Sequence, residues 1–299
     1  MRLRVHYCDQ HEIPLPAGHK FPIRKYRLIR ERLEATRLFD LCPAPFASVD
    51  AIQLAHDPEF VSSFLDGTIA ANSMRRIGFP WSPGLVDRTL ASAGSTLSSA
   101  RLAMESGVAG GLAGGTHHAF RAEGAGFCVF NDIAIAIQAL RREGLVCRAA
   151  VIDLDVHQGD GTAAMFSGDP AVLTFSMHGA RNFPFRKQSG AIDIELADGT
   201  EDREYLARLC ETLPRIWAFR PDIVFFQAGV DTLATDRLGR LALTHEGLRN
   251  RDQLVMAQAN GHRVPLVITL GGGYSEPIEA TVEAHTTTFL TAAEIFFRQ

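Results

Sequence analysis

Asp155 and His157 stand two positions apart at the end of an apolar run. In an extended segment, positions i and i+2 point the same way, so both side chains can face one ion. Asp231, at the end of another apolar run, offers a third ligand through oxygen. Three protein ligands with an open fourth position is the arrangement of catalytic zinc. Mixed oxygen and nitrogen ligation also admits iron(II), cobalt or manganese. An isolated Asp-x-His is more often a capped turn. Here Asp153, Asp155 and Asp160 crowd one loop around His157, and unpaired carboxylates at a buried sheet edge are costly; a cation removes the cost.

His117 and His118 follow Gly114-Gly115-Thr116, and adjacent histidines can be metal ligands, an acid/base pair or an accident of surface composition. Asp153 and Asp160 are left over once Asp155 and His157 bind a metal. Each can accept a hydrogen bond from one imidazole, fixing its tautomer and raising its basicity. One histidine then takes a proton from the attacking water and the other protonates the leaving amine. Tyr274, after Gly271-Gly272-Gly273, is the candidate donor to an amide oxygen as negative charge develops. Phe127, in Gly126-Phe127-Cys128, and Phe183, in Asn182-Phe183-Pro184, are each readable as core plugs. As a pair they make two walls of a slot for an aliphatic acyl-amine chain.

These residues need a scaffold that brings them together across some 160 positions. Short apolar runs alternate with longer helical patterns, which points to an α/β fold with a mostly parallel central sheet flanked by helices. The runs Arg2–Tyr7, Gly107–Leu112, Ala149–Leu154, Ala171–Ser176, Ile223–Ala228 and Val264–Leu270 are predicted strands. Predicted helices include Arg24–Ala35, Leu85–Glu105, Asp132–Arg142, Asp202–Ala218, Thr244–Asn260 and Pro277–Phe297, with Asn131 and Thr244 as starts. Five strand runs end in the clusters carrying His117, Asp155, Ser176, Asp231 and Tyr274. Ligands in open parallel sheets bind beyond the carboxyl ends of the strands, so the active site belongs at that edge.

Repeats and long linkers are absent, which makes one domain over residues 1–299 the expected organisation. A net charge of −4 gives no reason to expect nucleic acid or an anionic membrane as the main partner. The five cysteines are widely spaced without a CxxC pair, as reduced thiols are. With no signal-like or membrane-spanning apolar stretch, the expected location is the cytoplasm.

The blocks GGTHHAFRAEGAGFCVFND, VIDLDVHQGDGT, LTFSMH, QAGVDTLATDRLGRLALT and LGGGY occur in order between Gly114 and Tyr274. Together they resemble the histone deacetylase superfamily, whose fold is arginase-like. The resemblance implies a zinc-dependent deacylase with Asp155, His157 and Asp231 as zinc ligands. It implies His117 and His118 as the acid/base pair, Tyr274 as the carbonyl-polarising group, and Phe127 and Phe183 as walls of an acyl-lysine tunnel beside Gly126. A structural potassium ion is also implied, at Asp153, Asp155, His157, Ser176 and Met177. The segments NFPFRKQSGAIDIELADGTED and GHKFPIRKY look most like class IV deacetylases and their bacterial relatives. Acetyl-lysine, longer acyl-lysine, acetylated polyamines and small acetylated metabolites all suit that chemistry.

Two departures stand out. Gln158 replaces a histidine common in the family, and the stretch from Arg75 to Gly84 has no counterpart of a substrate-binding aspartate found in several members. A binuclear manganese ureohydrolase, the nearest rival, needs Asp-x-His-x-Asp, whereas Gly159 occupies the last position here. A non-catalytic acyl-lysine reader typically loses a ligand, a histidine or the tyrosine; this chain keeps the set.

Overall fold

The structure is a computed structural model that describes residues 2–297. The strands are β1 (Leu3–Tyr7), β2 (Phe39–Pro43), β3 (Val108–Gly111), β4 (Ala149–Asp153), β5 (Val172–Gly179), β6 (Ile192–Leu196), β7 (Ile223–Gln227) and β8 (Leu266–Thr269). They form a single sheet in the order β2-β1-β3-β8-β7-β4-β5-β6, with every neighbouring pair parallel. All eight carboxyl ends therefore share one edge.

Helices cover both faces. Val224 and Phe226 of β7 point into a core shared with α1 (Arg24–Thr36), α8 (Asp202–Ala218), α9 (His245–His262) and α10 (Ile278–Phe297). Ile223 and Phe225 point the other way, toward α5 (Pro83–Ser106) and α6 (Asp132–Arg142). The short helices α2 (Val49–Gln53), α3 (Pro58–Leu65) and α4 (Ala71–Ile77) join that second core, and α7 (Asp160–Met165) starts at the sheet edge. A sheet covered on both faces needs apolar residues at successive positions, which is why β4 and β7 read as unbroken apolar runs. The starts behave as expected: Asn131 accepts from Ala134 N–H at 2.9 Å and Thr244 from Gly247 N–H at 3.0 Å.

Two strands escaped the apolar-run criterion. β2 and β6 lie at the sheet margins, and Asp193 and Glu195 of β6 are exposed. Helices α2, α3, α4 and α7 span eight residues or fewer, too short for a periodic pattern. No helix among the described residues is long and apolar enough to cross a membrane.

Candidate functional site

Beyond β4 the chain turns so that Asp155 and His157 meet Asp231, which follows β7. One ligand atom from each lies within 4.8 Å of the others, and all three side chains are buried. His157 Nδ1 is 3.0 Å from Asp155 Oδ1 and 3.0 Å from Asp231 Oδ2. The remaining oxygens are tied down. Asp155 Oδ2 accepts from Gly272 N–H at 2.6 Å and Asp231 Oδ1 from Val156 N–H at 2.8 Å. This explains the glycine at 272, where a Cβ would fall 1.9 Å from Asp231 Oδ2.

Burial works against a charged His157, yet its hydrogen bonds to Asp155 and Asp231 outweigh it and lift the imidazole to about 10. The cluster thus draws positive charge to the point where two carboxylates and one ring nitrogen converge. That donor set fits a zinc-like divalent ion. At position 159 a Cβ would lie 2.3 Å from Asp153 Oδ2, which leaves no room there for a bridging carboxylate.

The histidines sit beside this cluster, each on its own carboxylate. His117 Nδ1 is 2.7 Å from Asp153 Oδ2 and His118 Nδ1 is 2.7 Å from Asp160 Oδ1. Their Nε2 atoms are 3.1 Å apart, a spacing that suits one proton between them and penalises two. Burial and the neighbouring His117 push His118 down to about 4. Burial also opposes charge on His117, but Asp153 overrides it and raises that ring to about 9. Between those limits the pair consists of a charged His117 and a neutral His118.

Tyr274 completes the cavity rim on the glycine loop. Burial, then Asp231 and Tyr26, push its phenol well above the ordinary value, so the hydroxyl keeps its proton as a donor. Asp236 Oδ2 accepts from Tyr274 N–H at 2.6 Å, while its Oδ1 takes the N–H groups of Leu238 and Gly239. Lys25 of α1, almost wholly buried, donates to Gly271 O at 3.0 Å and lies 5.5 Å from the Tyr274 ring. Burial lowers its ammonium to about 8 against the pull of Asp231, Asp155 and Asp236.

A cavity of about 430 Å³ leads to the two histidines, Asp155 and His157 and is lined by Phe127, Phe183 and Tyr274. Phe127 has φ +65°, strained for a bulky residue, and is held there by N–H donation to Ile77 O at 2.7 Å and by ring contacts with Phe21 and Phe79. Gly126, at φ +55°, lets the loop pass close to His118, from which a Cβ would stand only 2.7 Å. Phe183 packs edge-on to the His118 ring at 4.9 Å. Ser176 and Met177 lie on β5, with Ser176 in register with Asp153 and its Oγ 2.9 Å from His178 Nδ1.

Two positioning residues, Asp132 and Arg251, were not singled out from the sequence, and Gln158 was noted there only as a departure from the family pattern. Asp132 accepts from Gly115 N–H at 3.0 Å and Thr116 N–H at 2.7 Å, fixing the turn that presents His117 and His118. Gln158 donates to Gln188 O and Asp193 and accepts from Gln188 N–H, pinning the far end of the Phe183 loop. Arg251 of α9 has no solvent exposure and donates to Leu154 O at 3.2 Å and Gly229 O at 2.6 Å, with Asp252 as its counter-ion. Those carbonyls lie just ahead of Asp155 and Asp231, past the last ladder pair of β4 and β7. Within LRNRD on a helix, Arg251 has the pattern of a solvated face, so only tertiary packing reveals it.

The sequence profile of the Histone deacetylase domain matches residues 19–290. The chain belongs to that family. An uncharacterised protein of Picosynechococcus is 40% identical over 99% of this chain and 100% of its own length. The Histone deacetylase-like amidohydrolase of Pseudomonas aeruginosa is 31% identical over 88% of this chain and 74% of the relative. Histone deacetylase 2 of Arabidopsis thaliana is 36% identical over 60% of this chain, which spans 48% of that protein. In fold, the chain is similar to an acetylpolyamine aminohydrolase from Burkholderia pseudomallei, with TM-score 0.78, 21% identity, and 98% and 99% of the two chains covered. The histone deacetylase family is one of amide hydrolases.

Arg251→Met combined with Asp252→Asn, which removes the buried cation together with its counter-ion, is expected to leave a folded protein whose affinity for zinc falls about 10- to 100-fold, measured by chelator competition alongside circular dichroism. Unchanged affinity in the folded variant would show that the two carbonyls do not depend on Arg251 to space the ligands.

Proposed function

We propose that residues 1–299 form one catalytic domain that hydrolyses the amide bond of an acylated amine, acetyl-lysine or a longer acyl-lysine, with one zinc ion held by Asp155, His157 and Asp231. The observation that carries this reading is the meeting of two imidazole–carboxylate pairs with an Asp-His-Asp cluster in one aromatic-walled cavity. Zinc bound there supplies Lewis acidity, which polarises a carbonyl and acidifies water.

The side chains divide the remaining work. Neutral His118 is the general base for the attacking water: its Nε2 turns from His117 to the water to take the proton, and Asp160 on Nδ1 stabilises the imidazolium that forms. His117, kept charged by Asp153, stabilises the developing negative charge. The proton gathered by the histidine pair then passes to the leaving amine. Tyr274 donates its hydroxyl proton in a hydrogen bond to the carbonyl oxygen as it becomes an oxyanion. Phe127 and Phe183, with Gly126 between, hold the aliphatic chain and exclude water. The proposed structural potassium lies among Asp153, Asp155, His157, Ser176 and Met177, where the register of β4 with β5 brings Asp153 beside Ser176. The fit of a single ion disfavours a binuclear ureohydrolase.

Three outcomes follow. Zinc-loaded protein incubated with acyl-lysine peptides from acetyl to myristoyl, and with acetylated polyamines, should release one acyl class in a manner blocked by a hydroxamate chelator. No release from any of them with zinc stoichiometrically bound would contradict the reading. Tyr274→Phe should keep its zinc and lose turnover by about 10²–10³; full activity would remove Tyr274 from the mechanism. The pH profile of kcat/KM should be bell-shaped. Activity rises as His118 loses its proton near 4 and falls as His117 loses its own near 9. Asp153→Asn should move the alkaline limb to lower pH; an unmoved limb would mean that another group sets it.

A further inference from the structure

The cavity has an uneven charge. Four arginines line it, Arg76, Arg88, Arg181 and Arg240, against one carboxylate, Asp155, which belongs to the metal cluster. Arg88 is buried and spends a donor on Cys8 O, with its guanidinium 4.3 Å from the Tyr26 ring. The other three are exposed.

Each aromatic wall has an arginine beside it. On the Phe127 side, Arg76 O accepts from Gly126 N–H, and its guanidinium pairs with Glu123 at 2.8 Å. On the Phe183 side, Arg181 and Arg240 share one partner, with Asp198 Oδ2 at 3.5 Å and 3.2 Å. Two guanidiniums on one carboxylate leave a net positive charge and unused N–H donors among the residues that line the cavity. Beyond them Phe185, 88% exposed, sets its ring edge-on to Phe183 and offers an apolar platform.

Resting on the proposed deacylase reading, we propose that Arg181 and Arg240 form a specificity site for a carboxylate carried by the substrate just outside the slot. The acylated amine reaches the histidines, its aliphatic chain lies between Phe127 and Phe183, and the carboxylate sits against the two guanidiniums. Arginine suits this task because its planar fork matches a carboxylate with two parallel hydrogen bonds. A polycationic tail at the same rim meets like charge, which disfavours acetylated polyamines. The carboxylate comes either from the free end of an acylated amino acid or from an acidic residue flanking an acyl-lysine.

The test compares kcat/KM of the zinc-loaded protein for Nε-acetyl-lysine peptides with glutamate or with arginine flanks. Free Nε-acetyl-lysine, its carboxamide and N-acetylputrescine complete the set. One close charge pair in water changes affinity about fivefold. The glutamate-flanked peptide or the free amino acid should therefore exceed its neutral or basic counterpart by at least that factor. The difference should reside in KM and shrink at high salt. Arg181→Glu combined with Arg240→Glu should invert the ratio, and Asp198→Asn should enlarge it. Equal or greater preference for basic substrates in the wild type, or a ratio unmoved by both variants, overturns the proposal. Binding of the same peptides to Tyr274→Phe protein, followed by fluorescence anisotropy, reads the preference without turnover. Absence of turnover with every substrate would count against the deacylase reading, while the anisotropy ratio alone decides the arginine site.

Discussion

Burying a carboxylate costs several kcal/mol unless hydrogen bonds or a cation compensate it, and this chain buries Asp153, Asp155, Asp160 and Asp231 at one sheet edge. Most of the local structure follows from that constraint. Backbone N–H groups of Asp155, Val156 and Gly272 are turned onto the carboxylates, and that close approach leaves no room for a side chain at position 272. Each of the two histidines takes one of the outer aspartates. Asp155 and Asp231 keep one oxygen each for the point they share with His157. Charge that would be a liability in a folded interior is thereby gathered at a single coordinate.

Beneath that edge, cations from helices hold the frame. Arg251 reaches from α9 to the carbonyls preceding Asp155 and Asp231, and Lys25 reaches from α1 to the glycine loop preceding Tyr274. Both act on backbone, so they fix where side chains start rather than where they end. Asp132 does the same for the histidine turn. The parallel sheet delivers the segments to one edge, and these buried polar contacts set their relative positions there.

Much of this was legible in the residues themselves. β4, β7 and β8 stand out because strands covered on both faces must be apolar throughout, and the i, i+2 spacing of Asp155 and His157 carries its own geometry. The marginal strands β2 and β6 were not legible, since their exposed positions admit polar residues and break the run. Arg251 and Lys25 were not legible either: a basic residue on a helix has the pattern of a solvated face until packing seals it. The split between His117 and His118 needed coordinates, because it depends on the 3.1 Å separation of two ring nitrogens and on burial. The charge of the cavity wall needed them too, since Arg76, Arg181 and Arg240 are far apart in sequence.

Asp155, His157 and Asp231 are proposed to hold one catalytic zinc ion. The decisive experiment is titration of metal-stripped protein with zinc, with bound ion counted by elemental analysis and hydrolysis of an acyl-lysine peptide followed in the same samples. Saturation at one ion per chain, activity that rises in step with occupancy, and loss of both in Asp231→Ala are the expected results. Two ions per chain at saturation, or undiminished zinc binding by the folded Asp231→Ala protein, would contradict the proposal.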